Sequence, residues 1–462
     1  MDALRCRWFA LVLLAGALAA FAAIAAPARA SSDTLRVWFA SETPTPPFRD
    51  WRRAAHTIQE AVDRALPGDC VLIKADSSRA YTGSQSRCLF ACSSPASSPT
   101  IAVVFPKSGV SIIGEEPGPL PILSGGDSVR TIAFRDSTFG ASVERIRIRD
   151  GGVLFYGYFD TTSVVRRCVI ESCRQMEGGG MRIVGDAAPL IEENLFVGNQ
   201  TDSTLHHRNA GALAVNGSFP PPRAQIRRNI FRGNRAWNMG GAIRVKYGAP
   251  YIEGNLFEFN RAGGDGGAIA IQGGKPRIFG NTFRGNHAGG FGGAIATIRS
   301  VDSQGLNVHD NVFEADSAAA GGAIELSGRG TQPSQYKVFN NSFIRCHAES
   351  AGAALFLCGT LSGKHAVWVN RNLFVGVPGR SMPLLECDVS GDGASIDSLV
   401  CNGFLVEGDA DGVSGPSCTM GAVGGNVFRS LALIPPGAVD STSVDALRAI
   451  GRPDCDGEIG AR

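Results

Sequence analysis

Cations and aromatic rings crowd one stretch of this 462-residue sequence in which no acid occurs. Between Ser203 and Ile252 there is neither Asp nor Glu, while Arg208, Arg223, Arg227, Arg228, Arg232, Arg235, Arg244 and Lys246 all fall inside. Trp237, Tyr247 and Tyr251 lie among them, and Arg182, Arg261 and His287 extend the set on either side. Guanidinium forks match carboxylate and sulfate groups bidentately, and flat rings offer platforms for sugars. These residue types in this pattern point to an acidic polysaccharide or a cell-surface glycan.

Catalysis on such a substrate needs more. A uronic-acid lyase uses Arg or Lys as the base, and often calcium to acidify the α-proton. Bases are at hand, but no acidic cluster lies beside Arg232–Lys246 to hold the metal. No Asp-Asp pair, Asn-Thr-Asp or Gly-His-Gly occurs, so the carboxylate signatures of a glycoside hydrolase are missing. His206-His207 falls in the longest repeat and reads as a surface loop. Gly408-Asp-Ala-Asp-Gly412 offers Asp409 and Asp411 as weak calcium ligands, without the closing Glu of an EF-hand. No other metal or cofactor is implied. A net charge of +2 is a poor match for phosphate-driven binding, so no nucleic-acid partner is expected.

The element that must position these residues is a repeat. Asn-x-Phe recurs at Asn194, Asn229, Asn255, Asn281, Asn311, Asn341 and Asn372, at spacings of 35, 26, 26, 30, 30 and 31 residues, with an echo at Asn426. A second Asn follows five residues on at Asn199, Asn234, Asn260 and Asn286; Cys173 and Cys346 take that place elsewhere and read as buried thiols. Gly-Gly-Ala-Ile comes next, beginning at Gly240, Gly266, Gly292 and Gly321. Within each unit apolar and polar residues alternate, as in Tyr251–Phe257, which is strand periodicity. One unit cannot bury its apolar face alone, whereas units stacked about 4.8 Å apart place Phe on Phe and Asn on Asn. The expected fold is an all-β right-handed parallel β-helix. In it Arg235, Arg261 and His287 share a repeat position and stack as a cationic stripe, and Arg182 and Arg244 share another column two coils apart.

The ends read differently. Thr57–Leu66 has one apolar face, Ile58, Ala61, Val62, Ala65 and Leu66, and predicts a helical cap ended by Pro67-Gly68. Residues 1–30 carry Arg5 and Arg7, an apolar run from Trp8 to Ile24 and Ala28-Arg29-Ala30, the form of a cleaved signal peptide; no later stretch is apolar enough to span a membrane as a helix. Eleven cysteines follow it, and in an oxidising compartment some of them pair. Cys88 with Cys92, and Cys387, Cys401, Cys418 and Cys455 in the tail, are the staple candidates. The expected organisation is a signal peptide over 1–30, an extension over 31–55, the β-helix over 56–377 and an irregular, cysteine-bearing cap over 378–462.

Two resemblances accompany this reading. The T-I-Q-x-A helix, Pro67-Gly68-Asp69 and the strand Gly109–Gly114 resemble the opening of the pectin-lyase-like β-helix superfamily. Gly-Gly-Ala-Ile with Phe-x-x-Asn (Phe196–Asn199, Phe231–Asn234, Phe257–Asn260, Phe283–Asn286) is similar to the repeats of polymorphic outer-membrane proteins, which are adhesins. The resemblance covers about residues 55–375 and implies the fold; that fold carries lyases, hydrolases, epimerases and adhesins. The chain departs from autotransporters in lacking a terminal run of alternating ten-residue strands. The functional expectation is an exported, non-catalytic protein that presents a basic and aromatic face to a glycan or cell surface. A lyase of acidic glycans and a structural envelope protein remain the alternatives.

Overall fold

The computed structural model describes residues 32–430, except 77–78, 83–101, 127–129, 136–137, 158–161, 202–208, 218–222, 299–304, 328–333, 359–364, 378–381, 388–394, 401, 407–412, 415–418 and 425–426. One coil shows the plan. Tyr251–Glu253, Leu256–Glu258 and Ile269–Gly274 lie on three long walls, here sheets A, B and C, and Arg261–Ala262 adds a short strand on a fourth strip, sheet D, between B and C. Each strand pairs in parallel with its equivalents one coil before and after, Phe231 with Phe257 with Phe283, for instance. Among the described residues sheets A, C and B hold fourteen, twelve and thirteen strands, and sheet D seven. The chain is a parallel β-helix, all-β but for its N-terminal helical turn.

Inward side chains explain why the coils stack. Phe196, Phe231, Phe257, Phe283, Phe313, Phe343, Phe374 and Phe404 form one column, with ring centroids 4.6 to 4.9 Å apart and nearly parallel planes. Two asparagine ladders run beside it. At the A–B corner Asn229 donates its side-chain amide to Asn255 Oδ1 (3.0 Å) and to the Ile191 carbonyl (2.9 Å), while its main-chain N–H donates to Asn255 Oδ1 (2.8 Å). The same set recurs at Asn255, Asn281, Asn311, Asn341 and Asn372. Each ladder side chain is thereby paired with both the preceding and the next coil. No capacity is left there for a sugar or a metal.

The glycine pairs do two jobs. Gly240, first of its pair, takes a φ of +68°, where a side chain is costly. Gly241, the second, has no room for one: a Cβ would lie 2.0 Å from the Gly267 carbonyl oxygen of the next coil.

The helix spans Ile58–Arg64, one turn short of the expected Thr57–Leu66. Thr57 caps it by accepting the Glu60 N–H, and the backbone turns extended at Ala65, one residue before Leu66, which Pro67 disfavours in α geometry. It packs on the first strands, as a plug should. The ladders also reach beyond 56–377. Thr34–Val37, inside the expected extension, pairs with Cys70–Ile73, and strands from Leu385–Cys387 to Val427–Ser430 continue sheets A, B and C. Those segments lack Gly-Gly-Ala-Ile, although Asn402-Gly403-Phe404 and the echo Asn426-Val427-Phe428 keep Asn-x-Phe, so matching the full repeat misses them. Cys88, Cys92, Cys401, Cys418 and Cys455 lie outside the described residues, as do residues 431–462. Cys173 and Cys346 are buried at the corner position of Asn199, as their spacing implies.

Candidate functional site

The residues of the basic and aromatic set do not share one face. Arg232 stands on sheet B, where register places it in a column with Glu258, Arg284 and Glu314. Signs alternate along that column, with contacts of 2.7 Å from Arg232 to Glu258, 3.4 Å from Arg284 to Glu258 and 2.9 Å from Arg284 to Glu314. Its charge is spent within the ladder.

Arg182 and Arg244 share a column on the outer face of sheet C, with Ala214 between them. Neither faces solvent as a free cation. Glu177, in the turn ahead of Met181–Gly185, binds Arg244 through Oε1; its Oε2 takes Asn216 Nδ2 at 2.7 Å and Arg182 at 3.3 Å. Arg244 also donates to Gln272, and its side chain is only 7% exposed. Burial lowers the Arg244 pKa, and Glu177 opposes that shift. Arg130 packs behind, donating to the Glu177 and Gly178 carbonyls, and burial brings its pKa down to about 10. The basic column is thus a buried ion cluster around one glutamate. Sequence reading misses this because Glu177 lies 67 residues from Arg244, two coils away.

Lys246 and Tyr247 sit further along sheet C. Lys246 falls between Asn216 and Gln272 in register, its ammonium 5.9 Å from the Tyr247 ring centroid. They occupy a different wall from sheet D. Asp409 and Asp411, and the His206-His207 loop, lie outside the described residues.

What remains is contiguous. On sheet D, Gln200, Arg235, Arg261, His287 and Ser317 follow one another in register. Inward partners hold the strip flat: Asn234, Asn260 and Asn286 on one side of the column, buried Ala236, Ala262 and Ala288 on the other. Arg235 and Arg261 are exposed and have no carboxylate partner among the described residues, and His287 Nδ1 lies 3.0 Å from Ser317 Oγ. Arg235 stacks over Trp237, its guanidinium carbon 4.8 Å from the ring centroid, and Trp237 is 42% exposed. Two cations at strand spacing, beside an exposed indole, can engage successive anionic groups of one extended chain.

Two features outside that set also emerge. Phe259, at the corner between sheets B and D, is 56% exposed. Sheet A carries an outer aromatic stack, Phe279–His309–Phe339, with centroids 5.2 and 4.7 Å apart. Its rings pack on one another, so edges rather than faces point outward. Among the described residues no cluster of three His, Cys, Asp or Glu could hold a metal, and no helix is long and apolar enough to cross a membrane.

Comparison with known proteins agrees with the architecture. Residues 201–374 match the family model for the right-handed β-helix region. The repeats are those of a right-handed parallel β-helix. No curated protein sequence matches the chain. A solved mannuronic acid-specific polysaccharide family 6 lyase from human gut microbiota aligns at 14% identity over 75% of this chain and 79% of its own, with a TM-score of 0.31. A likeness that weak says nothing about activity.

Proposed function

We propose that this is an exported β-helix protein that binds an acidic polysaccharide or cell-surface glycan along sheet D, in an adhesin-like role without catalysis. The observation that carries the reading is the column Arg235–Arg261–His287, whose two arginines are exposed and unpaired among the described residues, with Trp237 beside it. The similarity of the Gly-Gly-Ala-Ile and Phe-x-x-Asn units to polymorphic outer-membrane protein repeats supports the adhesin-like role. The apolar leader in residues 1–30 supports export.

The test is retention of the purified protein on immobilised alginate, pectate, chondroitin sulfate and heparin across a salt gradient. Salt-sensitive retention, lost in Arg235→Ala/Arg261→Ala and kept in Arg284→Ala, is the expected result. Retention indifferent to the double substitution would overturn the reading.

A lyase is the second reading, favoured by the convergence of Arg182, Asn216, Arg244 and Gln272 with Glu177, next to Lys246, on sheet C. It requires an unsaturated, ultraviolet-absorbing product from one of these glycans, with formation lost in Lys246→Ala.

A further inference from the structure

Three consecutive coils lay out a grid of outward positions around the sheet D column. Alternation along each strand places Gly233, Arg235 and Trp237 in the first coil, Phe259, Arg261 and Gly263 in the second, and Gly285, His287 and Gly289 in the third. Between them Asn234, Asn260, Asn286 and the alanines point inward and are buried. Arg235, Arg261 and His287 form the central line, one aromatic stands on each flank, and glycine fills the other flanking places.

Phe259 is the anomaly of this grid. The corner between sheets B and D is a left-handed position: Gly198, Gly233 and Gly285 take φ of 60° to 61° there, and in other coils the small or flexible side chains of Ser172, Ala315 and Arg345 take φ of 51° to 53°. Phe259 takes φ of +55° at the same place, a conformation that costs energy for any residue with a Cβ and suits a bulky ring badly. It gains little burial in return, being more than half exposed. Its ring lies against the next corner: a Cβ at Gly285 would meet Phe259 ring carbons at 2.8 and 2.9 Å, so only glycine leaves the ring room to lie there. At Gly233, on the other side, a Cβ would meet nothing within 4 Å, so that flank is open. A bulky apolar ring placed at such a corner, exposed and packing on no core, points to a use outside the fold.

We propose that Phe259 is a sugar-stacking platform: an anionic polysaccharide lies along the helix axis, its acid groups on Arg235 and Arg261 and one pyranose face on the Phe259 ring. The proposal rests on the glycan-binding reading above and adds what that reading leaves open. The ligand is a chain of sugar rings rather than any polyanion, and it runs parallel to the axis, because the two arginines are adjacent rungs about 4.8 Å apart. Trp237, its face already covered by Arg235, braces that guanidinium.

The experiment compares the intact protein with Phe259→Gly, Phe259→Trp and Arg235→Ala/Arg261→Ala. Affinity at fixed salt and retention across a salt gradient are measured on alginate and on poly-glutamate, a polyanion without rings, and thermal stability is followed in parallel. Phe259→Gly is expected to melt at or above the parent temperature, since glycine suits the corner. Its affinity for alginate should fall roughly fivefold, with poly-glutamate unaffected and Phe259→Trp retaining the alginate affinity. The double arginine variant should lose both polymers. If Phe259→Gly melts lower, the ring is packing and the platform is wrong; if it binds alginate as the parent does while the double variant fails, the platform is wrong and the glycan-binding reading stands. If the double variant also binds as the parent does, both fall.

Discussion

Asp316 accepts the main-chain N–H of Asn286 at 2.8 Å and its side-chain amide at 2.9 Å, taking the rung that asparagine holds in the four preceding coils of the B–D ladder. An asparagine there would use its amide to donate to a carbonyl of the preceding coil, as Asn286 does to Phe257 at 3.0 Å. A carboxylate cannot donate, and Asp316 Oδ2 is buried without a hydrogen-bond partner. Burial pushes this acid up to about 8, with the Asn286 bonds opposing the shift and Glu314 adding to it. The other neighbour, Cys346, is a thiol that burial also raises. Asp316 therefore acts as a neutral rung at pH 7, its proton replacing the missing amide hydrogen.

Stability should then depend on pH through Asp316. Unfolded, an Asp titrates near about 3.9; folded, this one holds its proton to about 8. The native state binds the proton more tightly, so its contribution is complete below pH 4, falls as pH rises toward 8 and is flat above. Asp316→Asn should remove that slope and melt higher than the parent at pH 8 and beyond. Parallel slopes for the two proteins would refute the neutral rung.

Asn255→Ala removes four hydrogen bonds at once and strands the buried Asn229 main-chain N–H, one of the Asn229 amide hydrogens and the acceptor site that the Ile226 carbonyl offers Asn255. A loss of at least about 3 kcal/mol is expected, since each stranded buried group costs about 1–3 kcal/mol. Denaturant unfolding of the variant measures it; a change below 1 kcal/mol, taken as roughly one ordinary hydrogen bond, would mean water replaces the ladder.

Two glycine substitutions should separate conformation from space. Gly233→Ala needs only a left-handed alanine with open surroundings, as Ala315 already shows at φ +53°, and should cost about 1 kcal/mol. Gly241→Ala places its Cβ 2.0 Å from a carbonyl oxygen and 2.6 Å from the Arg261 nitrogen, both backbone atoms. It should lower expression or melting far more than Gly233→Ala; equal effects would contradict the observed coil contact.

Removing Glu177 strands the buried Arg244 guanidinium. Glu177→Ala should destabilise by about 3–5 kcal/mol, the usual penalty for breaking a buried pair from one side. Glu177→Ala/Arg244→Met should recover much of that loss, because the uncompensated charge is gone. Additive losses in thermal melts would show that the two residues do not depend on each other.

The fold was legible in the sequence because a solenoid repeats its reasons. Asn-x-Phe spacing fixes which residues stack, so the phenylalanine column, the asparagine corners and the register of Arg235, Arg261 and His287 follow from counting. Thr57 and Pro67 mark the N-terminal helix in the same way. Asp316 was readable too, as Phe313-x-x-Asp in place of Phe-x-x-Asn. Only the tertiary structure decided which basic residues carry a free charge. Pairing across coils joins residues 26 to 67 positions apart, and that is how Glu258 takes Arg232 and Glu177 takes Arg244. Composition counts both arginines as surface cations; geometry neutralises them and leaves Arg235 and Arg261. Phe259 was half readable: it replaces the glycine of Phe-x-Gly-Asn (Phe196–Asn199, Phe231–Asn234, Phe283–Asn286), but only the structure shows its ring exposed and lying against Gly285.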